Sequence, residues 1–348
     1  MAEPWKTQLS GRITNLSEFA SALNKDPEEL AGLEERLAFS LTPYYAKLCA
    51  EEPALLKTVL PSPLELVTQP YELADPMLED PNSPTKALVQ RYPNRVLFIL
   101  TPQCPVYCRY CTRSRKVGKS DEKLGQADWQ IAIDWISKHP EIEEVILSGG
   151  EPLILGDSSL EWILGALKQI PHVQFLRFST KSVAVMPQRI TDELATLLGK
   201  FQPVLMNLHF THPKELTPES KEAISRLLKA GVMVTSQTVL LKGVNDEPEV
   251  LASLFKELYR CGVRPYALYL CDWITGADHF RIGPTKALEI MTALRRLLSG
   301  VMIPKLIADP PGGKVDLGQP VQQIEGGVNL TNWKGQSCFW PEPTNTQK

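Results

Sequence analysis

The chain has 348 residues, of which 43% are hydrophobic, and a formal charge of −3. This length suits one large α/β domain with an appendage or two ordinary domains, and the charge excludes the basic footprint of a nucleic-acid-binding protein. No apolar run reaches the ~20 residues of a membrane span, and the first residues lack the layout of a secretory signal. We therefore expect a cytoplasmic protein without nucleic-acid or membrane partners.

The first part of the chain precedes any repeating pattern. Amphipathic helical periodicity runs from about Asn15 to Cys49, with Asn15 or Ser17 as its cap, and predicts a helical N-terminal extension over residues 1–60. Prolines then recur and the periodicity fades, which predicts an extended surface connector over residues 61–95.

Short apolar runs alternate with helical segments over residues 96–300, and from the second run onward they recur at roughly the thirty-residue spacing of a βα unit. The runs are nearly uninterrupted, as in parallel strands buried on both faces. Six such units predict an α/β fold with a curved or open parallel sheet rather than a complete eightfold barrel, followed by a short C-terminal segment, 301–348. Ligands are expected at the C-terminal ends of the strands. The predicted strands are Val96–Thr101, Val145–Ser148, Phe175–Ser179, Val204–Phe210, Val232–Leu240 and Tyr266–Leu270, and the predicted helices are Trp129–Lys138, Leu160–Gln169, Ile190–Leu198, Pro218–Ala230, Pro248–Cys261 and Thr285–Leu298.

Seven cysteines, an odd number, occur in a chain too long to need disulfide bonds for its stability. Cys104, Cys108 and Cys111 follow the first predicted strand with C-x3-C-x2-C spacing. Structural zinc normally takes four protein ligands, and no second cysteine pair is present. Soft thiolates also suit an iron–sulfur cluster, in which three protein ligands leave one iron open to a small molecule. The triplet therefore predicts a metal centre, with a cluster favoured over zinc.

The cysteine spacing resembles the signature of the radical S-adenosylmethionine (SAM) superfamily. The resemblance implies that Cys104, Cys108 and Cys111 hold a [4Fe–4S] cluster, that SAM binds its open iron, and that reduction cleaves SAM to a 5′-deoxyadenosyl radical. The next strand ends in Ser148-Gly149-Gly150-Glu151, which is similar to the superfamily's GGE element. Glycines there allow backbone groups to approach a ligand, and Glu151 could take the SAM ammonium group.

After the last predicted helix the chain reads Asp309-Pro-Pro-Gly-Gly-Lys314-Val315. A phosphate-binding P-loop needs Ser or Thr after Gly-Lys, so Val315 excludes it. Two interpretations remain from these residues alone. Lys314 is either a solvated lysine in a surface turn or a lysine on a flexible glycine stalk, able to form a Schiff base with pyridoxal 5′-phosphate (PLP).

Ordered matches from Trp5 to Lys314 resemble the lysine 2,3-aminomutase family. They include Arg91-Tyr-Pro-Asn-Arg95, Cys108-Arg-Tyr-Cys-Thr-Arg113, Asn207-Leu-His209-Phe-Thr-His212, Gln237-Thr-Val-Leu-Leu and Cys271-Asp272. The resemblance implies a radical SAM partial (β/α)6 barrel with a helical N-terminal extension and a short C-terminal segment. It also implies a PLP-dependent isomerase that moves an α-amino group to the β-carbon of an amino acid.

The family resemblance also implies roles for individual residues. Lys314 would hold PLP and act in catalysis, and Arg113 would pair with the substrate carboxylate. Arg91, Tyr92 and Arg95 would lie along PLP, and guanidinium groups are in any case well matched to a phosphate. The remaining cofactor-binding candidates are Ser148, Gly149, Gly150, Glu151, His209 and Gln237.

Asp272 and Asp309 follow the sixth predicted strand and precede the stalk, respectively, and the family resemblance implies that both grip a distal ammonium group. Two carboxylates around one cation are physically sensible, because an unpaired buried charge is costly. The favoured reaction is therefore L-lysine to L-β-lysine. Alternatives are an aminomutase acting on arginine or on a lysine side chain of elongation factor P. A non-catalytic iron–sulfur protein would need neither the GGE element nor the stalk lysine.

The implied partners are a small-molecule amino acid, an electron donor such as flavodoxin or ferredoxin, and further copies of the chain in a homo-oligomer. The chain departs from the family pattern in two places. The stalk is two residues shorter than the usual glycine run, and the C-terminal zinc cysteines are missing, with Glu247 at the position of their partner cysteine.

Overall fold

The structure, a computed structural model of the chain, describes residues 3–22, 26, 28, 37–119, 123–318 and 321–343. Within these ranges no helix is long and apolar enough to cross a membrane. The α-helices are α1 Pro4–Ser10, α2 Leu16–Ala22, α3 Pro43–Glu51, α4 Pro53–Lys57, α5 Gln126–Ser137, α6 Asp157–Lys168, α7 Ser182–Val185, α8 Asp192–Lys200, α9 Pro218–Lys229, α10 Pro248–Arg260 and α11 Pro284–Leu297. The strands are β1 Leu88–Tyr92, β2 Arg95–Ile99, β3 Glu144–Ser148, β4 Phe175–Thr180, β5 Val204–His209, β6 Met233–Leu240, β7 Arg264–Leu270, β8 Lys305–Ala308, β9 Val315–Asp316, β10 Gln322–Ile324, β11 Gly327–Thr331 and β12 Ser337–Pro341.

The main sheet has the order β1 to β9, with β2 to β8 parallel and antiparallel strands at both edges. Helices α5, α6, α8, α9, α10 and α11 connect successive parallel strands, which confirms the predicted partial (β/α)6 barrel. Strand β8 was not predicted from the sequence, because the strand–helix repeat was expected to end near residue 300. Its four residues are too few to show a period, and only its pairing with β7 reveals it.

The strands were predicted to be buried on both faces, and the structure differs. In β4, Leu176, Phe178 and Thr180 are buried, whereas Arg177 and Ser179 on the opposite face are half-buried. The same alternation holds in β6. The outer face packs under the helices, and the inner face lines a cavity, so polar residues are tolerated there.

The N-terminal extension is not one helix. Asn15 caps α2 by accepting a hydrogen bond from Glu18 N at 2.8 Å, as predicted, and α3 begins separately at Pro43 behind the Thr42 cap. The predicted helix also covers residues outside the described ranges. The connector likewise differs from the prediction, because its last part forms β1 and joins the barrel sheet.

A buried arginine of the cysteine loop joins the connector and the N-terminal extension to the barrel. Arg109 Nε and Nη2 donate to the Glu65 carboxylate at 2.9 and 2.6 Å, and Nη1 donates to Leu37 O at 2.8 Å. Both side chains are almost completely excluded from water. Arg109 lies between two of the predicted cluster cysteines, so its pair with Glu65 attaches the cysteine loop to the connector, and its hydrogen bond to Leu37 O attaches the loop to the extension.

Removing one member of this pair should destabilise the fold strongly. We expect Glu65→Ala to lower the free energy of unfolding by about 3–5 kcal/mol, because it strands a buried guanidinium. The double variant Glu65→Leu/Arg109→Met should lose less, since no charge remains buried. Urea denaturation of the single and double variants measures both changes. Equal losses in the two variants would contradict the expectation.

Candidate active site

One cavity of about 530 Å³ lies among the inner faces of the barrel strands, the loop after β2 and the segment after β8. It is lined by every residue predicted from the sequence to bind metal, cofactor or substrate. These are Arg91, Tyr92, Arg95, Cys104, Cys108, Cys111, Arg113, Ser148, Gly149, Gly150, Glu151, His209, Gln237, Asp272, Asp309 and Lys314. Residues from distant parts of the chain therefore share one chamber.

The thiols of Cys104, Cys108 and Cys111 line the cavity and form no disulfide. Burial raises the pKa of all three, that of Cys111 to about 11, and neighbouring cysteines raise the pKa of Cys104 and Cys111 further. The thiols thus lie close enough to repel one another as thiolates. Among the described side chains, no three His, Cys, Asp or Glu residues form a site for a single metal ion. The thiolates of a cubane cluster bind different irons and need not meet at one point.

Backbone groups of the cysteine loop are held by the N-terminal extension. Arg12 Nη1 donates to Cys104 O at 2.8 Å, and Ser40 Oγ donates to Pro105 O at 2.9 Å. Tyr107 N in turn donates to Ser40 O at 2.9 Å. The described residues of this loop form no helix or strand, so these long-range hydrogen bonds supply the order that a regular element would otherwise provide.

Gly149 and Gly150 follow β3, where the cysteine loop crosses it. A Cβ atom on Gly149 would lie 2.3 Å from Thr101 O, and one on Gly150 would lie 2.2 Å from Gln103 O. Glycines at this point were expected to let backbone groups approach a ligand. The structure shows that the group they admit is the cysteine loop itself.

Glu151 is buried at the end of the same strand. Its Oε1 accepts hydrogen bonds from Thr180 Oγ1 at 2.6 Å and Leu153 N at 3.1 Å, and its Oε2 accepts one from Lys181 N at 2.8 Å. Burial raises the pKa of the carboxyl, and these hydrogen bonds oppose the shift. A carboxylate accepts about four hydrogen bonds, so Oε2 keeps capacity for another donor from the cavity.

Arg113 is already paired within the protein. Its Nε and Nη2 contact the Glu79 carboxylate at 2.8 and 2.6 Å, and its Nη1 donates to Gly149 O at 3.0 Å. Glu79 lies in the proline-rich connector, where no sequence pattern distinguishes it, and it was missed. A substrate carboxylate can use only the remaining N–H groups of Arg113 unless it displaces Glu79.

Lys314 reaches into the cavity from the glycine stalk. Its backbone N donates to Tyr92 Oη at 2.9 Å, and its Nζ donates to Tyr269 Oη at 3.0 Å. Gly313 has φ +123°, and a Cβ there would lie 2.8 Å from Trp333 Nε1. The stalk thus needs glycine because the C-terminal segment packs directly against it.

Tyr269 also influences the charge of Lys314. Burial opposes protonation of Nζ, but Tyr269 and Asp309 outweigh it and hold the pKa of Lys314 above its ordinary value. Lys314 is therefore an ammonium group in this structure and must lose a proton before it can act as a nucleophile. Tyr269 was not predicted, although its position on β7 three residues before Asp272 could have indicated it.

The two arginines expected at the PLP phosphate differ in their contacts. The Arg95 guanidinium stacks on the Tyr92 ring, 3.9 Å from its centroid, whereas Arg91 Nη2 pairs with Asp309 Oδ1 at 3.0 Å. Asp272 lies near this pair, and its buried Oδ1 has no hydrogen-bond partner. Burial, and then repulsion by Asp309, raise the pKa of Asp272 to about 8. The two carboxylates thus form an end of the cavity that favours a cation.

His209 and Gln237 point toward the same chamber from β5 and β6. The buried His209 Nε2 has no hydrogen-bond partner, and burial, with Lys181 and Arg113, lowers its pKa to about 3. His209 is therefore neutral. Gln237 Oε1 accepts a hydrogen bond from Asn207 Nδ2 at 2.6 Å, which leaves the other end of its amide available.

Comparison with known proteins identifies the family. The family model for the Radical SAM superfamily matches residues 98–255. An L-lysine 2,3-aminomutase of Clostridium subterminale is 39% identical over 98% of this chain and 84% of its own length. The chain belongs to the lysine 2,3-aminomutase family. A glutamate 2,3-aminomutase of Clostridioides difficile is also 39% identical, over 95% of this chain and 81% of its own length. An L-lysine 2,3-aminomutase of Haemophilus influenzae is 37% identical over 88% of this chain and 93% of its own length.

As a lysine 2,3-aminomutase family member, the protein is an isomerase that uses a [4Fe–4S] cluster, SAM and PLP. The cavity fits these groups. Its lining includes three thiols, a lysine and two arginines, and the unpaired His209 Nε2 and Asp272 Oδ1 face it. Buried polar atoms without partners are rare in native proteins and mark places where a ligand completes the hydrogen bonding.

Adding one methyl group at Gly150 tests whether the cysteine loop packs directly against the end of β3. Gly150→Ala should push the loop away, because no room exists beside Gln103 O, at a cost of about 1–3 kcal/mol. We expect a lower iron content per chain after anaerobic reconstitution, measured together with the absorbance of the cluster. Gly165→Ala in α6 is the control, since nothing lies within 4 Å of its new methyl group. Full iron loading in Gly150→Ala would contradict the packing argument.

The proton on Asp272 should be visible in the stability of the PLP-free protein. Its pKa of about 8 exceeds the ordinary value of 3.8, so the folded state binds a proton that the unfolded state has released. Stability should therefore fall as pH rises between about 4 and 8, by at most about 1.4 kcal/mol per pH unit, and then level off. Asp272→Asn should abolish this component. Urea midpoints at several pH values provide the measurement, and parallel profiles for the two proteins would refute it.

Proposed function

We propose that this isomerase converts L-lysine into L-β-lysine in the cavity. The observation that carries the proposal is the Asp272–Asp309 pair, in which one carboxylate oxygen is buried without a hydrogen-bond partner. Overall sequence identity does not distinguish a lysine substrate from a glutamate substrate, because a lysine enzyme and a glutamate enzyme are each 39% identical to the chain. Charge does discriminate: a second substrate carboxylate would be repelled at this end of the cavity, whereas an ammonium group would be attracted.

The same cavity supports a defined orientation of the substrate. Arg113 would receive the α-carboxylate with the N–H groups that Glu79 and Gly149 leave available, and Glu79 holds the guanidinium plane in place. Asp272 and Asp309 would receive the distal ammonium. Such contacts fix both ends of the amino acid, so that its reacting carbons are held between them.

The cofactor roles follow from the same contacts. The cluster and SAM supply a hydrogen-abstracting radical, and PLP supplies a carrier for the migrating nitrogen. Cys104, Cys108 and Cys111 would bind the cluster, while Ser148, Gly149, Gly150, Glu151, His209 and Gln237 would surround SAM and PLP. Lys314 would hold PLP beside Tyr92, whose hydroxyl accepts from its backbone N–H, with Arg91 and Arg95 at the phosphate. A one-electron donor such as flavodoxin or ferredoxin would reduce the cluster.

The test is an anaerobic incubation of reconstituted protein with SAM, PLP, a strong reductant and L-lysine, followed by mass-spectrometric separation of the lysine isomers. We expect β-lysine that depends on both SAM and PLP. Asp309→Asn and Asp272→Asn should each lower kcat/KM for lysine by roughly 100-fold, because an ammonium loses one buried counter-ion. Asp134→Asn, at an exposed site on α5 outside the cavity, is the matched control.

Two outcomes would revise the proposal in different ways. If SAM is cleaved but β-lysine does not form, the end of the cavity lined by Asp272 and Asp309 binds another substrate. Arginine and then elongation factor P should be tried. Borohydride reduction with PLP should label Lys314 and leave Lys181, the other lysine of the cavity, unlabelled. A label on Lys181 would remove Lys314 from its role.

A further inference from the structure

Arg91 and Asp309 form an ion pair between distant parts of the chain. Arg91 lies on the edge strand β1, and Asp309 directly follows β8, ahead of the glycine stalk. Arg91 Nη2 is 3.0 Å from Asp309 Oδ1 and 3.3 Å from Pro310 O. The side chains are only 14% and 6% exposed, so water screens their attraction weakly.

Each member of this pair also has a second task, and here the inference rests on the proposed function. Arg91 is assigned to the phosphate of PLP, and Asp309 to the distal ammonium of the substrate. In the structure the two residues satisfy each other instead. A guanidinium already neutralised by a carboxylate attracts phosphate less, and the carboxylate attracts ammonium less.

The neighbouring Asp272 carboxylate makes the affinity for a cation depend on which partner Arg91 has. Asp272 is the second carboxylate at this end, and its Oδ1 has no hydrogen-bond partner. In its ionised form it repels Asp309, while Arg91 attracts both carboxylates. When a phosphate draws the Arg91 charge away, the carboxylates lose a counter-ion and their affinity for an incoming cation rises.

We propose that the Arg91–Asp309 ion pair links the two ligands, so that phosphate bound at Arg91 releases Asp309 for the substrate ammonium. Either ligand must break the same pair, and the ligand that arrives second finds it already broken. Binding is therefore positively cooperative, and by thermodynamic necessity the effect is equal in both directions. An amino acid is therefore held more tightly once the cofactor phosphate is in place, and the phosphate more tightly once the amino acid is bound.

Two unreactive probes test the linkage without turnover. Pyridoxine 5′-phosphate carries the phosphate and ring but no aldehyde, so it cannot bond to Lys314. 6-Aminohexanoate carries the carboxylate and distal ammonium of lysine but no α-amine. Calorimetric titration of the full chain, with its cluster reconstituted and PLP removed, gives the Kd of each probe with and without the other. We expect each probe to tighten the other by about 10-fold, within the usual 5- to 150-fold range of coupling.

Two variants show whether the coupling arises from the Arg91–Asp309 ion pair or from direct attraction between the two ligands. Asp309→Asn should bind pyridoxine 5′-phosphate several-fold more tightly than the unmodified protein, and its coupling factor should fall to about one. Asp272→Asn is the matched control, because it removes a neighbouring carboxylate and leaves the Arg91–Asp309 pair intact. Its coupling factor should stay above one, although it binds 6-aminohexanoate more weakly. Circular dichroism spectra verify that both variants are folded.

The linkage is overturned if the unmodified protein shows a coupling factor of one, that is, if neither probe changes the Kd of the other. This result requires no variant. It is also overturned if Asp309→Asn weakens pyridoxine 5′-phosphate binding, since Asp309 would then orient Arg91 rather than compete for it. Coupling that persists in Asp309→Asn would assign the effect to direct attraction between the ligands. Turnover of L-lysine distinguishes failure of the linkage from failure of the proposed substrate. If β-lysine forms without coupling, the linkage alone fails. If coupling is present and no β-lysine forms, the substrate assignment alone fails.

Discussion

The cavity enclosed by the curved parallel sheet is lined by charged and polar side chains, and a buried charge needs a partner where water is scarce. Because an unpaired charge in such a place costs several kcal/mol, the cavity is built from internal pairs. Arg113 lies against Glu79, Arg91 against Asp309, and Lys314 against Tyr269. A ligand that binds these paired groups therefore replaces a partner within the protein, whereas His209 Nε2 and Asp272 Oδ1 can accept a ligand without losing one.

The two ends of the chain complete a site that the barrel alone could not form. The N-terminal extension holds the backbone of the cysteine loop through Arg12 and Ser40. The C-terminal segment presses Trp333 against the glycine stalk and so directs Lys314 toward Tyr92. A helix-covered sheet supplies the rim on which ligands bind, while the irregular segments supply the reactive groups and depend on long-range contacts for their order.

Local signals in the sequence were sufficient for several features. The spacing of Cys104, Cys108 and Cys111, the Gly149-Gly150 turn and the thirty-residue alternation predicted a cluster loop on a partial barrel. They failed where partners are distant in sequence: Glu79 lies in a connector without periodicity, and its role depends on Arg113 from the cysteine loop. Strand β8 was missed because it lies beyond the point at which the repeat was expected to stop, and the predicted helical segment is divided because α3 begins separately at Pro43.

The sequence by itself determined the order of strands and helices, the thiol triplet and the chemical character of the candidate residues, since each depends on neighbours within a few positions. Only the tertiary structure decided which charges face each other, as in the Arg91–Asp309 pair, and which polar atoms stay unpaired, as in His209 and Asp272. It also showed that the absence of a side chain at Gly150 makes room for the backbone of the cysteine loop. Electrostatic interactions depend on distance in space and on burial, and neither can be read from separation along the chain.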